Sequence, residues 1–205
     1  MRESQIDELL ALLSESKPMK WQEAWNLAFA TTKEHPYSWQ AWYLLGRAAV
    51  LVAAFFPAAR GTQWTFAENS LHRALALGPA KDMTDVFSWL AWAREGGGNF
   101  EGALEAAEKA FELDPSTQKR AKVADLCRAV GRLVESEQHF DVVLAGEPER
   151  LSVRFSRSFL MFRLGRYKEA WLGYQHRWQT REFLFTAKLS GQPDTTLPWW
   201  TGTPA

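Results

Sequence analysis

The run Asn99–Pro115, NFEGALEAAEKAFELDP, sets the pattern for the rest of the chain. Ala103, Ala107 and Ala110 recur at helical spacing and so share one face. A face of small residues lets a second helix approach closely. Asn99 suits the capping position before the first turn. Pro115 has no N–H and disfavours helical angles at Asp114, so the helix stops there.

The same pattern recurs at Trp21–Pro36 (WQEAWNLAFATTKEHP), Trp64–Pro79 (WTFAENSLHRALALGP) and Tyr167–Tyr174 (YKEAWLGY). Aligning the small residue of each second helix gives Ala24, Ala67, Ala103, Ser136 and Ala170, spaced by 43, 36, 33 and 34 residues. The closing prolines Pro36, Pro79, Pro115 and Pro148 repeat at 43, 36 and 33. The long first interval matches a repeat of about 34 residues plus the insertion FFPAARG at Phe55–Gly61. A period of this size is the mark of an array of helix pairs.

Read outward, the pattern gives ten helices. They cover residues 5–16, Trp21–Thr32, Ser38–Ala54, Thr62–Leu77, Thr84–Glu95 and the run from Asn99. Further helices begin at Ser116 or Thr117, and span Leu133–Ala145, Arg150–Leu164 and Tyr167 to about Thr180. Ile6, Leu9, Leu10 and Leu13 form the apolar stripe of the first. Gly46 inside the third costs about 1 kcal/mol against alanine, which close approach of a partner helix at Ala67 would offset. The glycine, proline and threonine content of Leu189–Ala205 predicts an extended tail. The expected organisation is a helical repeat domain over 1–185 and a tail or linker over 186–205.

The chain has 205 residues and is 46% hydrophobic, which fits a globular protein with a sizeable core. Net charge is zero, which argues against general nucleic-acid binding. Residues 1–149 carry 15 Lys and Arg against 21 Asp and Glu, whereas 150–205 carry 9 against 3. That asymmetry is either a steering field for a partner or merely solvated faces of unequal sign. No apolar run reaches the roughly 18 residues of a membrane span. The N-terminus MRESQIDELL places acids where a signal peptide is apolar, which predicts a cytoplasmic protein. Cys127 is the single cysteine and reads as a small buried helix residue.

These residues resemble the tetratricopeptide repeat (TPR) family. Trp42, Leu45, Gly46, Ala67, Leu71, Ala74 and Pro79 match its pattern, as do Leu164, Gly165, Tyr167, Ala170 and Tyr174. Ser136, Phe140 and Val143 match it more loosely. The resemblance covers residues 5–180. It implies an all-α fold, an α-solenoid of about five helix hairpins in a right-handed superhelix. It also implies a concave trough built from fixed positions of each first helix. Those positions are Gln40, Tyr43, Arg47 and Val50, then Asp85, Ser88, Trp92 and Glu95. They continue with Gln118, Ala121, Asp125 and Arg128, then Ser152, Phe155, Phe159 and Phe162. The candidate partner-binding residues are Tyr43, Arg47, Trp92, Glu95, Asp125, Arg128, Phe155, Phe159 and Phe162. The trough lacks the Lys/Asn cluster that grips a terminal carboxylate in chaperone-binding relatives, which disfavours a chaperone-tail ligand. Trp92 reads equally as core or groove, and a phenylalanine trio at helical spacing reads as either trough or core.

The run Gly165–Trp178, GRYKEAWLGYQHRW, followed by Pro198, Trp200 and Gly202, resembles bacterial glycosyltransferases that carry an N-terminal repeat array. Tyr174, Arg177 and Trp178 supply one of their motifs, and Pro198, Trp200 and Gly202 the other. The resemblance implies a catalytic domain beyond Ala205 and no transfer activity in these residues themselves. The Trp199-Trp200 pair would then either dock on the last repeat or face a missing domain. No catalytic constellation is present in the sequence. The histidines His35, His72, His139 and His176 lack metal-ligand spacing, and Gly96–Gly98 lacks the lysine of a phosphate loop. Neither a catalytic residue, a metal nor a cofactor is expected. The expected function is capture of a protein or peptide segment in the trough, with no nucleic-acid or membrane partner. The alternative is the acceptor-recruiting arm of a glycosyltransferase, and a third reading is a sugar surface on Trp89 and Trp92.

Overall fold

The computed structural model describes residues 3–15, 17–56 and 60–179. Among them are ten α-helices and no strand. They are α1 (Glu3–Ser14), α2 (Pro18–Glu34), α3 (Trp39–Phe55), α4 (Arg60–Leu77), α5 (Thr84–Gly96), α6 (Phe100–Leu113), α7 (Thr117–Val130), α8 (Leu133–Gly146), α9 (Leu151–Arg163) and α10 (Tyr167–Tyr174). The chain forms two compact units, divided in sequence between Arg132 and Leu133. The first holds α1 to α7 and the second α8 to α10. The expected tail over 186–205 lies outside the described residues.

Local chemistry sets most of the helix ends. Asn99 caps α6, its Oδ1 accepting from the Gly102 N–H at 3.0 Å. A Cβ at Gly102 would stand 2.5 Å from Asn99 Nδ2, so the glycine makes room for the cap. Asp114 leaves the helix in an extended conformation, as the following proline requires. Ser38 caps α3 in the same way. Between α5 and α6, before α8, and between α9 and α10, the chain turns on Gly98, Gly131 and Gly165, with φ of 86°, 89° and 73°. Those angles suit glycine, and the three positions repeat at 33 and 34 residues.

In the first unit each helix packs on its neighbour in sequence, and α3 also contacts α1 and α5. The small residues expected at the contacts are there. Ala24, Ala67 and Ala103 in this unit have no exposed surface. At Gly46 a Cβ would lie 2.6 Å from Leu71 Cγ and 3.3 Å from the Ala67 carbonyl, so the glycine is required by the approach of α4. Leu71, Val86, Leu90 and Leu126 centre one core cluster, and Leu9, Leu13, Leu44 and Leu45 a second. The α1 stripe differs from expectation: Leu9 and Leu13 are buried, Leu10 is exposed, and Leu12 packs in its place. Arg94 fixes the far side of α5. It donates to Glu68 Oε1 and to the Gly102 carbonyl, both at 2.8 Å, tying α5 to α4 and α6.

In the second unit α8 and α10 both pack on α9. Phe140, Val143, Leu160, Met161 and Ala170 are buried, as is Ser136. Arg157 and Arg166 cross-link the three helices through Glu137 of α8 and Glu169 of α10, and Arg157 also reaches Asp141. The last helix is shorter than expected. It ends as an α-helix at Tyr174 and tightens into a 3-10 turn over Gln175–Gln179. Gly173 is the physical reason: it is a poor helix former. Its place is set by packing, since a Cβ there would meet the Arg154 carbonyl at 2.8 Å.

Candidate functional site

In the first unit the expected trough residues of α3, α5 and α7, Val50 excepted, are half-buried or exposed. Tyr43 and Arg47 are both half-buried, one helical turn apart on α3. The Arg47 guanidinium lies 5.2 Å from the centroid of the Trp89 ring. Trp89 in turn sits 6.4 Å from Trp92, the rings tilted by 40°. Lys122 of α7 stands 4.4 Å over Trp92 and is ion-paired to Glu95. The face thus alternates cation, indole, indole, cation, an order that cation–π attraction supports. Asp125 and Arg128 complete it, 3.6 Å apart on α7.

Trp92 is 52% exposed, although Leu90, Ala91 and Ala93 around it are buried. Of its two readings, the structure therefore excludes the core. Trp89, by contrast, packs against the core. Val50 is a correction: it stands at a trough position but is buried beneath the face, because α4 and α5 close over that end of α3. Burial pushes the Tyr43 phenol above its usual pKa. Arg47 beside it works in the opposite direction, and Asp85 adds to the rise.

Trp89, which the sequence offered only as part of a sugar surface, and Lys122, which it did not single out, both belong to this face. Lys122 falls between trough positions, and its pairing with Glu95 spans 27 residues, so only the stacking of α5 and α7 reveals it.

The second unit gathers its aromatic residues differently. Phe155, Phe159 and Phe162 do share one side of α9, but α10 brings Trp171 and Tyr174 against them. Phe155 lies 5.0 Å from Phe159 and 5.6 Å from Tyr174, and Phe162 lies 5.1 Å from Trp171. Most of these pairs are edge-to-face, the favoured arrangement for aromatic rings. Phe155 and Phe162 are half-buried, and Phe159 is 38% exposed. Arg177 lies 4.5 Å over Tyr174. Nearby, a cavity of about 330 Å³ is lined by Leu144, Met161 and Leu172, with Arg157, Glu169 and His176 at its polar edge. Of the glycosyltransferase-like motifs only Tyr174, Arg177 and the backbone of Trp178 fall within the described residues.

Among the described residues there is no group of three His, Cys, Asp or Glu placed to hold a metal ion. No helix among them is long and apolar enough to cross a membrane. Cys127 is buried.

No protein-family model matches the chain, and no curated protein does. Solved structures do. MamA (AMB-1) aligns with a TM-score of 0.64 at 20% identity, over 85% of this chain and 93% of that one. YrrB, described as a TPR protein with an unusual peptide-binding site, aligns with a TM-score of 0.60 at 16% identity, over 83% and 84%. A thermophilic TPR protein from Thermus thermophilus aligns with a TM-score of 0.54 at 18% identity, over 73% and 72%. At these identities the likeness is one of fold, and that fold is an all-α array of tetratricopeptide-like helices.

Proposed function

We propose that this chain is a non-catalytic, cytoplasmic interaction module that captures an extended segment of a partner protein on the α3, α5 and α7 face. The observation that carries the reading is Trp92. A large indole left 52% exposed, on a helix whose neighbouring residues are buried, costs apolar hydration that a ligand would relieve. Around it stand Tyr43, Arg47, Glu95, Lys122, Asp125 and Arg128, a mixture of flat apolar surface and charge suited to a peptide. The fold shared with YrrB, whose description includes a peptide-binding site, supports the same class of partner. Phe155, Phe159 and Phe162 form a second proposed contact region in the other unit, where Trp171 also remains largely exposed.

The test is selection of short peptides from an unbiased display library on the full chain. Wild-type protein is expected to enrich a family of peptides, and Trp92→Ala to bind them at least about tenfold more weakly, as loss of a buried aromatic anchor does. Equal binding by Trp92→Ala would refute this placement of the site.

A further inference from the structure

On the reading of the α3, α5 and α7 face as a peptide surface, the charges of that face name the chemistry that the peptide must carry. Three cations stand on that face. Lys122 is neutralised by Glu95, and Arg128 has Asp125 3.6 Å away. Arg47 differs from both. No carboxylate of the described residues comes within 4.0 Å of it. Its Nε is buried and has no hydrogen-bond partner. Asp85, the nearest acid in its effect on Tyr43, does not pair with it.

The Arg47 guanidinium carbon lies 5.2 Å from the centroid of the Trp89 ring. A cation–π contact of this kind holds the group in place without neutralising its charge. Tyr43 flanks the group on the same helix, adding a hydroxyl that can donate or accept. A guanidinium with no carboxylate of the described residues beside it, and a neighbouring hydroxyl, suits a carboxylate, which its terminal N–H groups can meet in a forked pair. A lysine-bearing ligand would be repelled here.

We propose that Arg47, held over Trp89 and flanked by Tyr43, is a carboxylate-binding site that takes an Asp or Glu side chain of the captured segment. The acid sits beside the residue that lies on Trp92, so a ligand carries an acidic side chain next to an apolar one.

The experiment uses the full chain and the peptides enriched from the display library. Those peptides are expected to share an acidic position beside an apolar one. Arg47→Gln is expected to weaken the best of them at least about tenfold, as removal of one partner of a desolvated charge pair does. Changing the acid of the peptide to its amide should weaken binding to wild type by the same factor and to Arg47→Gln no further, closing a double-mutant cycle. Arg47→Lys keeps the charge but loses the fork, so it should bind with intermediate affinity. This variant carries the test if Arg47→Gln does not fold, and wild-type affinity in it would overturn the proposal. Amidation of the peptide C-terminus should leave binding intact. Loss on amidation alone would assign the anion to the chain terminus and overturn a side-chain site. Peptides that bind through Trp92 but are indifferent to Arg47→Gln would remove this proposal and leave the peptide surface standing. Enrichment of no peptide at all would remove both.

Discussion

Trp92 on α5 and Phe159 on α9 hold the same place in their repeats, yet their surroundings have little in common. In the first unit, the neighbouring first-type helices offer cations. Arg47 lies on Trp89 and Lys122 on Trp92, and the outer indole stays 52% exposed. In the second unit the following helix offers rings. Trp171 and Tyr174 of α10 close on α9, and Phe155, Phe159 and Phe162 become part of a five-ring cluster. A repeat position therefore fixes the side of the helix on which a residue stands. What that side meets is fixed by the helix packed next to it. One face is an open row of alternating charge and indole, and the other is a partly closed aromatic layer.

A scale for this comparison comes from Phe140, which is fully buried in the second unit. Phe140→Ala should cost about 3–5 kcal/mol in chemical denaturation, as removal of a core aromatic does. Ala103→Leu comes next. It overfills the contact of α6 with α5 and should cost about 1–3 kcal/mol. An unchanged denaturation midpoint would show that the small residues are not required at the helix contacts.

Phe159→Ser should fall below both, at about 1–2 kcal/mol, because it gives up ring contacts with Phe155 and Tyr174 from a position already in part exposed. A cost equal to that of Phe140→Ala would make the second unit's aromatic layer true core and withdraw it from the contact surface. Trp92→Ala should cost less again, about 1 kcal/mol, since it removes one cation–π contact and one ring contact from a side chain more exposed than Phe159. If a thermal melt ranked Trp92→Ala above Phe159→Ser, the contrast between the two faces would be reversed.

The smallest effect is one of pH. Hydrogen bonds from Arg166, with its charge and that of Arg157, hold the Glu169 carboxyl below its ordinary pKa. The folded value is thus lower than the unfolded one. The stability it confers is present above the ordinary carboxylate range and fades as pH falls toward the depressed value. Glu169→Gln should flatten the acid limb of the stability curve and leave neutral stability almost unchanged, read from denaturation midpoints across an acid pH series. An identical acid limb in the variant would remove Glu169 from the network's pH response.

Much of this could be read in the chain before folding. The helices, the cap at Asn99 and the proline after Asp114 follow from short-range chemistry, whereas Ser38, read as the first residue of its helix, is its cap. The buried small residues at Ala24, Ala67, Ala103, Ser136 and Ala170 follow from the period. The misses are equally physical. Leu10 lies one residue round from buried Leu9, and that rotation of about 100° decides burial. The end of α10 depended on Gly173 fitting against a backbone carbonyl of α9. The turn glycines Gly98, Gly131 and Gly165 kept the repeat spacing, but their φ angles become visible only once the chain is traced.

The sequence by itself determined an all-α array, its period, and the residues that stand on one side of α3, α5, α7 and α9. These depend on contacts within one helix or between helices adjacent in sequence. The tertiary structure alone decided that Lys122 neutralises Glu95, that Val50 is covered, that Trp92 stays open while the rings of α9 are met by α10, and that no carboxylate of the described residues stands beside Arg47. Each of these depends on side chains far apart in sequence being brought within a few ångströms. Charge pairing and burial fall off over that distance, so composition and spacing cannot fix them.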